Sequence, residues 1–513
     1  MAHSDQMEKN TSLKNHGNKL LYSIDEVPPI ITSIALGFQQ MLTMFGGTVA
    51  APLVLKSILN IEGEESIYVT QLMGTILVIS GISTFLQVTF GIKLPIVQGG
   101  SFAFIAAVAA IVGKNKGSLN VELSNNTEWR ENILEVQGCL IAGSILQIII
   151  GITGIAGFLT KCIGPLTICP CITLIGISLF KVCISKAKYN WPLTLFTSLS
   201  IIFISQCLSK FRVPFTKKRL YVFELFPVFI AIVTAWFVAF MCTTLNIFSE
   251  DPSDLSYGAR TDINLQLVYN SHWFSIPYPF QWGLPNISLS GTIGMSVAII
   301  ASVFESIGDY AACARLCQKP FPKKRDINRG IFMEGLGCLL AGIFGSGIGT
   351  TSYSENIGVI GITKVASRRV VQISAVLMLI LGCCNKLASI FTIIPDPIVG
   401  GVFFCMFGMI TAVGLASLQT VNLNSTRNLF VLGYSLIMGI SLPHFFETSE
   451  TSIFSNPYID EIVNSLLVNG MFVGALIGFL LDNALPGSKK DRGFPVPDCD
   501  EISLNEEINL SQE

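Results

Sequence analysis

Three acidic side chains stand where a chain built for lipid has little use for them: Glu305, Asp309 and Glu355. An ionisable group at membrane depth is costly and marks a functional position by default. Glu305 and Asp309 fall within Ala301-Ser302-Val303-Phe304-Glu305-Ser306-Ile307-Gly308-Asp309-Tyr310, four residues apart, so a helix presents both on one face. Two carboxylates that close in a poorly solvated place do not both ionise; one keeps its proton, or a cation sits beside them. Either outcome serves a cation-coupled carrier. The plainer alternative is a pair that bonds Ser, Thr or backbone groups on a neighbouring helix. Glu355 sits in a polar run of Ser352, Tyr353, Ser354 and Asn356, with Gly345, Gly347 and Gly349 loosening the chain before it. A short extended stretch feeding a half-helix there aims free backbone N–H groups into a cavity. Such donors beside a carboxylate acceptor suit a flat ligand that carries both C=O and N–H groups. A carboxylate that merely caps a helix is the alternative.

A counterpart lies far upstream, in Gln98-Gly99-Gly100-Ser101-Phe102-Ala103-Phe104. Irregular backbone survives at membrane depth only where protein or a wet cavity surrounds it. Paired breaks in corresponding positions of two halves point to a transporter's binding site. Gln39, Gln40 and Gln98 add amides that donate and accept together, as site groups or as glue between helices. Glu334 is expected near the cytosolic end of its span, in a structural or gating contact. The histidines (His3, His16, His272, His444) fall in tails, loops or near a span end. No nucleophile–base pairing, phosphate-cradling loop or metal cluster is legible, so the chain reads as no enzyme and needs no cofactor or metal.

These residues require a membrane scaffold. Of 513 residues 51% are hydrophobic and only 13% charged, about half the charged share of a soluble domain. Apolar runs of about 20 residues recur, each long enough to cross the hydrocarbon core. A net charge of −2 gives no reason to expect a nucleic-acid partner. Fourteen cysteines are scattered without paired spacing and read as buried free thiols. Spans are expected near 30–55, 69–91, 95–113, 134–158, 164–183, 193–208 and 222–248, then near 289–312, 332–350, 354–364, 370–392, 397–416, 428–443 and 465–482. About fourteen spans in two sevens must enter the membrane in opposite senses, which predicts an inverted repeat with the site at the midplane.

The domain plan follows: a polar, disordered cytosolic arm at 1–28, a first repeat at 29–248, an extracellular insert at 249–288, a second repeat at 289–485 and an acidic cytosolic tail at 486–513. Orientation rests on three basic loops placed inside: Lys210 to Arg219, Lys319 to Arg329, and Lys364 with Arg368 and Arg369. Both termini are then cytosolic and 114–132 is external. Asn125-Asn126-Thr127 fits a glycan acceptor there, whereas Asn424-Ser425-Thr426 falls inside.

The run Ser354-Glu355-Asn356-Ile357-Gly358-Val359-Ile360-Gly361-Ile362-Thr363-Lys364 resembles the signature of the nucleobase–ascorbate transporter family, and the stretches around Gln98 and Glu305 are similar to two further family motifs. Asn328-Arg329-Gly330-Ile331-Phe332, Ser367-Arg368-Arg369-Val370-Val371-Gln372 and Pro395-Asp396-Pro397 resemble the animal branch. The resemblance covers about residues 22–485. It implies an all-α polytopic protein with a seven-plus-seven inverted repeat. Spans one to four and eight to eleven would form a core domain, and the others a gate domain. Spans three and ten would each be a short strand and a half-helix. It further implies a homodimer in the plasma membrane, an elevator motion of core against gate, and substrate contacts from Glu305, Glu355 and the backbone near Phe102 and Ser354. Na⁺ is the implied coupling ion, with Asp309 and Glu305 as participants; H⁺ serves other members.

In that family the ascorbate carriers of animals have Pro where this chain has Glu355, and nucleobase carriers have Glu or Gln. A second carboxylate repels anionic ascorbate but accepts hydrogen bonds from the ring N–H groups of uracil or a purine. The expected substrate is therefore a nucleobase, with Gln98, Phe102, Ser354, Asn356 and Gln39 beside the two glutamates. Gln40 departs from the family's usual His. The rivals are an ascorbate importer, an anion channel or exchanger of similar architecture, and a non-transporting paralogue.

Overall fold

The computed structural model describes residues 20–61, 66–118, 128–160, 162–208, 223, 227–263, 268–269, 271–448, 463, 466–488 and 491–493. The apolar runs are helices, the one form that satisfies a backbone in lipid without neighbours. The first half comprises α1 (Ile30–Leu59), α2 (Ser66–Thr89), β1 (Gln98–Gly100), α3 (Ile105–Ser118), α4 (Glu128–Thr153), α5 (Pro165–Ser178), α6 (Phe180–Ala187), α7 (Trp191–Ile202) and α8 (Pro227–Thr244). The second comprises α9 (Leu289–Leu316), α10 (Lys324–Phe344), β2 (Thr350–Ser352), α11 (Ser354–Thr363), α12 (Arg368–Cys383), α13 (Asn385–Thr392), α14 (Asp396–Ala416), α15 (Thr426–Thr448) and α16 (Gly470–Ala484). Among the described residues, eight helices are long and apolar enough to cross a membrane, and five shorter apolar helices accompany them.

Packing falls into two sets. α4 lies against α9 and α10, and α2 against α10 and α12, with α1 on α12. Separately, α5 packs on α14, α15 and α16, while α7 packs on α8 and α14. The sets meet chiefly where α9 touches α5 and α16, and α1 touches α14. Large apolar side chains on α8 (Phe229, Phe237) and α15 (Phe430, Ile437) face outward.

Two expectations need correction. The helix expected from 332 begins at Lys324, because the basic segment before the apolar run is itself helical. Arg329 holds it there, donating to the Gly91 carbonyl at 2.6 Å and pairing with Asp326 at 2.9 Å. Gly345 ends it, with φ of 69° and a ring of Trp282 so close that a Cβ would lie 2.3 Å from it. Glu334 is consequently central in its helix rather than near the cytosolic end. The arm expected to be disordered over 1–28 is instead packed from residue 20: Tyr22 bridges Val365 and Ile24 is 7% exposed. The apolar residues Leu20, Leu21, Tyr22 and Ile24 were the signal. Residues 1–19, the basic loop 210–219, Asn125 and the tail beyond 493 lie outside the described residues.

The insert before α9 is ordered by short-range bonds. Arg260 grips Asp262 through Nε and Nη2, at 3.0 and 2.8 Å, and holds that carboxyl below the usual carboxylate range.

Candidate functional site

The two breaks meet. β1 and β2 pair antiparallel, with Gln98 opposite Ser352, Gly99 opposite Thr351 and Gly100 opposite Thr350, all six buried. The ladder satisfies backbone groups that lipid would leave bare. Tyr353 locks it: its hydroxyl donates to the Gly100 carbonyl at 2.9 Å, and its ring lies where a Cβ on residue 99 would be 2.5 Å away. Gly99 is thus required by close approach.

Each strand runs into a helix start. After β1, Ser101 caps the tight turn Phe102–Phe104, its Oγ accepting from the Ala103 N–H at 3.2 Å, and α3 follows. After β2, α11 starts at Ser354 with Tyr353 as N-cap and no side-chain cap bond. The first-turn N–H groups of α11 have no partner within the helix, and they carry the positive end of its dipole.

Between these starts is a cavity of about 30 Å³. At roughly 10–15 Å³ per water on this measure it has room for two waters, so a planar base needs its walls to part. One wall is polar, from Ser101, Glu305, Thr351, Ser352, Ser354 and Glu355. The other is apolar, from Ile172 and Ile175 of α5 and Ile410 and Val413 of α14. Phe102 closes one side, edge-on to Phe407 with centroids 5.3 Å apart.

Of the residues singled out by sequence, Glu305, Glu355, Phe102 and Ser354 line this cavity together. Asp309 stands one turn behind; its Oδ1 accepts from Ser354 Oγ at 2.7 Å, and its buried Oδ2 has no hydrogen-bond partner. Oε2 of Glu305 is likewise buried and without one. Gln98, Asn356 and Gln39 are not on the cavity wall. Nε2 of Gln98 donates to Glu334 at 3.0 Å, and Nδ2 of Asn356 donates to the carbonyl and Oε1 of Gln40 at 2.7 and 2.8 Å. Gln40, the departure from the family's His, is therefore a holder of α11. Gln39 is 5% exposed in α1, and its Nε2 lacks a partner.

Sequence reasoning missed the network beneath the cavity floor. Glu334 is 1% exposed and accepts three bonds: from Gln98, from the Tyr310 hydroxyl at 2.9 Å and from Ser306 Oγ at 2.6 Å. Gln87 Nε2 donates to Tyr310 at 2.6 Å, and Ser306 Oγ lies 3.1 Å from Thr351 Oγ1. This network ties α2, α9, α10 and both strands into one unit. Its signal was legible: Ser306 and Tyr310 are four apart, on the helix face beside Glu305 and Asp309.

A second, wider cleft of about 1200 Å³ shares Phe102, Ala103 and Ile175 with the small cavity. It runs between α3, α5 and the α16 start, past Glu135, Lys181, His444 and Asn469.

Two facing strand–half-helix breaks inside a bundle of apolar helices define a membrane transporter. The transmembrane domain of a cyanobacterial bicarbonate transporter, BicA, has a similar fold, with a TM-score of 0.50 at 14% identity over 87% of this chain and 99% of that one. Residues 32–448 match the permease family model Xan_ur_permease. Solute carrier family 23 member 2 of Rattus norvegicus is 42% identical over 96% of this chain and 78% of its own length. Nucleobase-ascorbate transporter 1 of Arabidopsis thaliana is 35% identical over 93% of this chain and 91% of its own. The chain belongs to this nucleobase–ascorbate transporter, or solute carrier 23, family, and it is a multi-pass membrane transporter rather than an enzyme.

Proposed function

We propose that this chain imports nucleobases, uracil or purine bases, coupled to Na⁺ across the plasma membrane. The observation that carries the reading is the pairing of two carboxylates, Glu305 and Glu355, with the open first turn of α11 around one cavity. Carboxylates accept from ring N–H groups and the helix start donates to ring carbonyls, which is the edge pattern of a base. Anionic ascorbate meets two negative neighbours there. A site built to bond N–H groups also rejects analogues that lack them.

Coupling is assigned to Asp309 and Glu305, whose partnerless buried oxygens, Oδ2 and Oε2, suit a hard cation. The α1–α4 and α9–α12 set, with its strands, is the moving core of an elevator, and the α5–α8 and α14–α16 set is the gate. This is supported by the one-sided chemistry of the cavity: every polar wall residue belongs to the core, and α5 and α14 offer only Ile172, Ile175, Ile410 and Val413. A ligand bonded to the core slides past an apolar gate without breaking hydrogen bonds. With both termini cytosolic, the wide cleft opens outward. A homodimer fits the apolar outer faces of α8 and α15.

The test is uptake of labelled uracil, hypoxanthine and ascorbate in cells expressing the chain, with Na⁺ or with choline in its place. Saturable base uptake that requires Na⁺ is expected. Ascorbate uptake without base uptake would overturn the substrate, and base uptake indifferent to Na⁺ would overturn the coupling.

A further inference from the structure

The half-helix that carries Glu355 is short and weakly held by its own sequence. α11 has ten residues, below the length at which a helix is stable alone. Gly358 leaves open space on one side: a Cβ there would meet nothing within 4 Å. Its start is fixed by the β1–β2 ladder, by Ser354 on Asp309 and by Asn356 on Gln40. Its far end, nine residues and about 14 Å from Glu355, is held by the segment that precedes the first span.

That segment makes several directed contacts. The Leu21 N–H donates to the Lys364 carbonyl at 2.7 Å. Tyr22 bridges Val365 in parallel and accepts from the Ala366 N–H at 2.9 Å. The Arg368 N–H donates to the Ile24 carbonyl at 3.1 Å. Ser367 Oγ donates to the Glu26 carbonyl at 2.6 Å, and Asp25 forms an ion pair with Arg368. Ile24 inserts beneath, into the buried cluster that includes Ile357 and Ile360 of α11 and Ile327 of α10. Lys364 has the left-handed conformation that ends α11, so the segment grips the turn joining α11 to α12.

We propose that Leu21–Glu26 is a positioning clamp: it fixes the far end of α11 against α12, sets where Glu355 stands in the cavity, and travels with that body. None of these residues lines the cavity, so they act through α11 and not on the substrate. The effect on substrate affinity rests on the reading of Glu355 given above; the effect on α11 itself does not.

The test is hydrogen exchange of the purified full-length transporter over residues 354–364, with base uptake measured in parallel. Deleting residues 2–19 is expected to change neither. Deleting residues 2–26 should speed exchange over 354–364 by about tenfold or more while 396–416 stays as in the wild type, because the several bonds lost are each worth about two- to tenfold. Ser367→Ala removes one of them and should give about two- to tenfold, which keeps the test decisive if the long deletion fails to fold. In uptake, KM should rise and the maximal rate per surface molecule should hold. Wild-type exchange over 354–364 in the long deletion, or in Ser367→Ala where that deletion does not fold, would overturn the clamp, whatever the substrate proves to be. Absence of base uptake by the wild type would overturn the substrate reading and leave the exchange result to decide the clamp.

Discussion

The two breaks look alike in backbone and differ in what they leave free. At the first, Ser101 reaches the cavity wall but spends its Oγ on capping its own turn, Gln98 turns away to Glu334, and Phe102 adds an apolar face. At the second, no side chain caps α11, and Ser354 and Glu355 face the cavity directly. One break is spent on framework and the other is kept for the ligand. A pair of strands in register lets both tasks meet at one point: Tyr353 and Glu334 brace the buried ladder, and the ladder sets beside the cavity a helix start whose first-turn N–H groups have no partner within the helix.

This division is open to attack by substitution, and the largest effect belongs to the framework. Glu334→Leu orphans the donors of Gln98 and Tyr310, each costing about 1–3 kcal/mol, and leaves Ser306 only its hydroxyl neighbours, so thermal stability should fall sharply in detergent melting curves. Unchanged melting would mean that the network does not hold the two strands. Glu355→Ala should do the opposite. It removes a charged acceptor worth about 1.5–3 kcal/mol, weakening base binding by about 10- to 150-fold while stability holds or rises, since a half-buried carboxylate is costly. Gly99→Ala pushes a methyl into the Tyr353 ring and should cost about 1–3 kcal/mol of stability. Ser101→Ala loses a cap worth about 1 kcal/mol, with a far smaller change in KM for base than Glu355→Ala gives, because its Oγ is already engaged by the Ala103 N–H. A rise in KM with no loss of stability in that variant would erase the distinction between the two breaks. At the small end is the Arg260–Asp262 pair of the insert before α9. Its depressed carboxyl contributes stability that is fully present above the ordinary carboxylate range and lost only as pH falls through the lowered value, so wild-type melting should not change between pH 5.5 and 7.5, and Asp262→Asn should lower it slightly and by the same amount across that window.

Much of this was legible in the chain. Acidic residues at membrane depth and glycine-broken polar runs led to Glu305 and Glu355, and the family resemblance to Phe102 and Ser354; the fold gathers all four around one cavity. The reach of polar side chains was not legible. Gln98 and Asn356 sit in the right segments, but an amide offers the same chemistry to a ligand or to a neighbouring helix, and only the fold shows that theirs go to Glu334 and Gln40. Glu334 was misplaced because hydropathy marks where a helix enters lipid and not where it begins; Lys324 to Ile331 are helical ahead of the expected span. The ordered stretch before α1 escaped for a related reason, since the few apolar residues from Leu20 to Ile24 form too short a pattern for periodicity to register.

The central claim is that Glu355 reads the N–H edge of a base, and competition binding addresses it most directly. Labelled uracil bound to the purified protein would be displaced by unlabelled uracil or by 1,3-dimethyluracil, in the wild type and in Glu355→Ala. The account predicts that the wild type binds the dimethylated ring about 10- to 150-fold more weakly than uracil, and that the gap narrows in the variant. Equal displacement by both rings in the wild type, or a gap that survives Glu355→Ala intact, would contradict it.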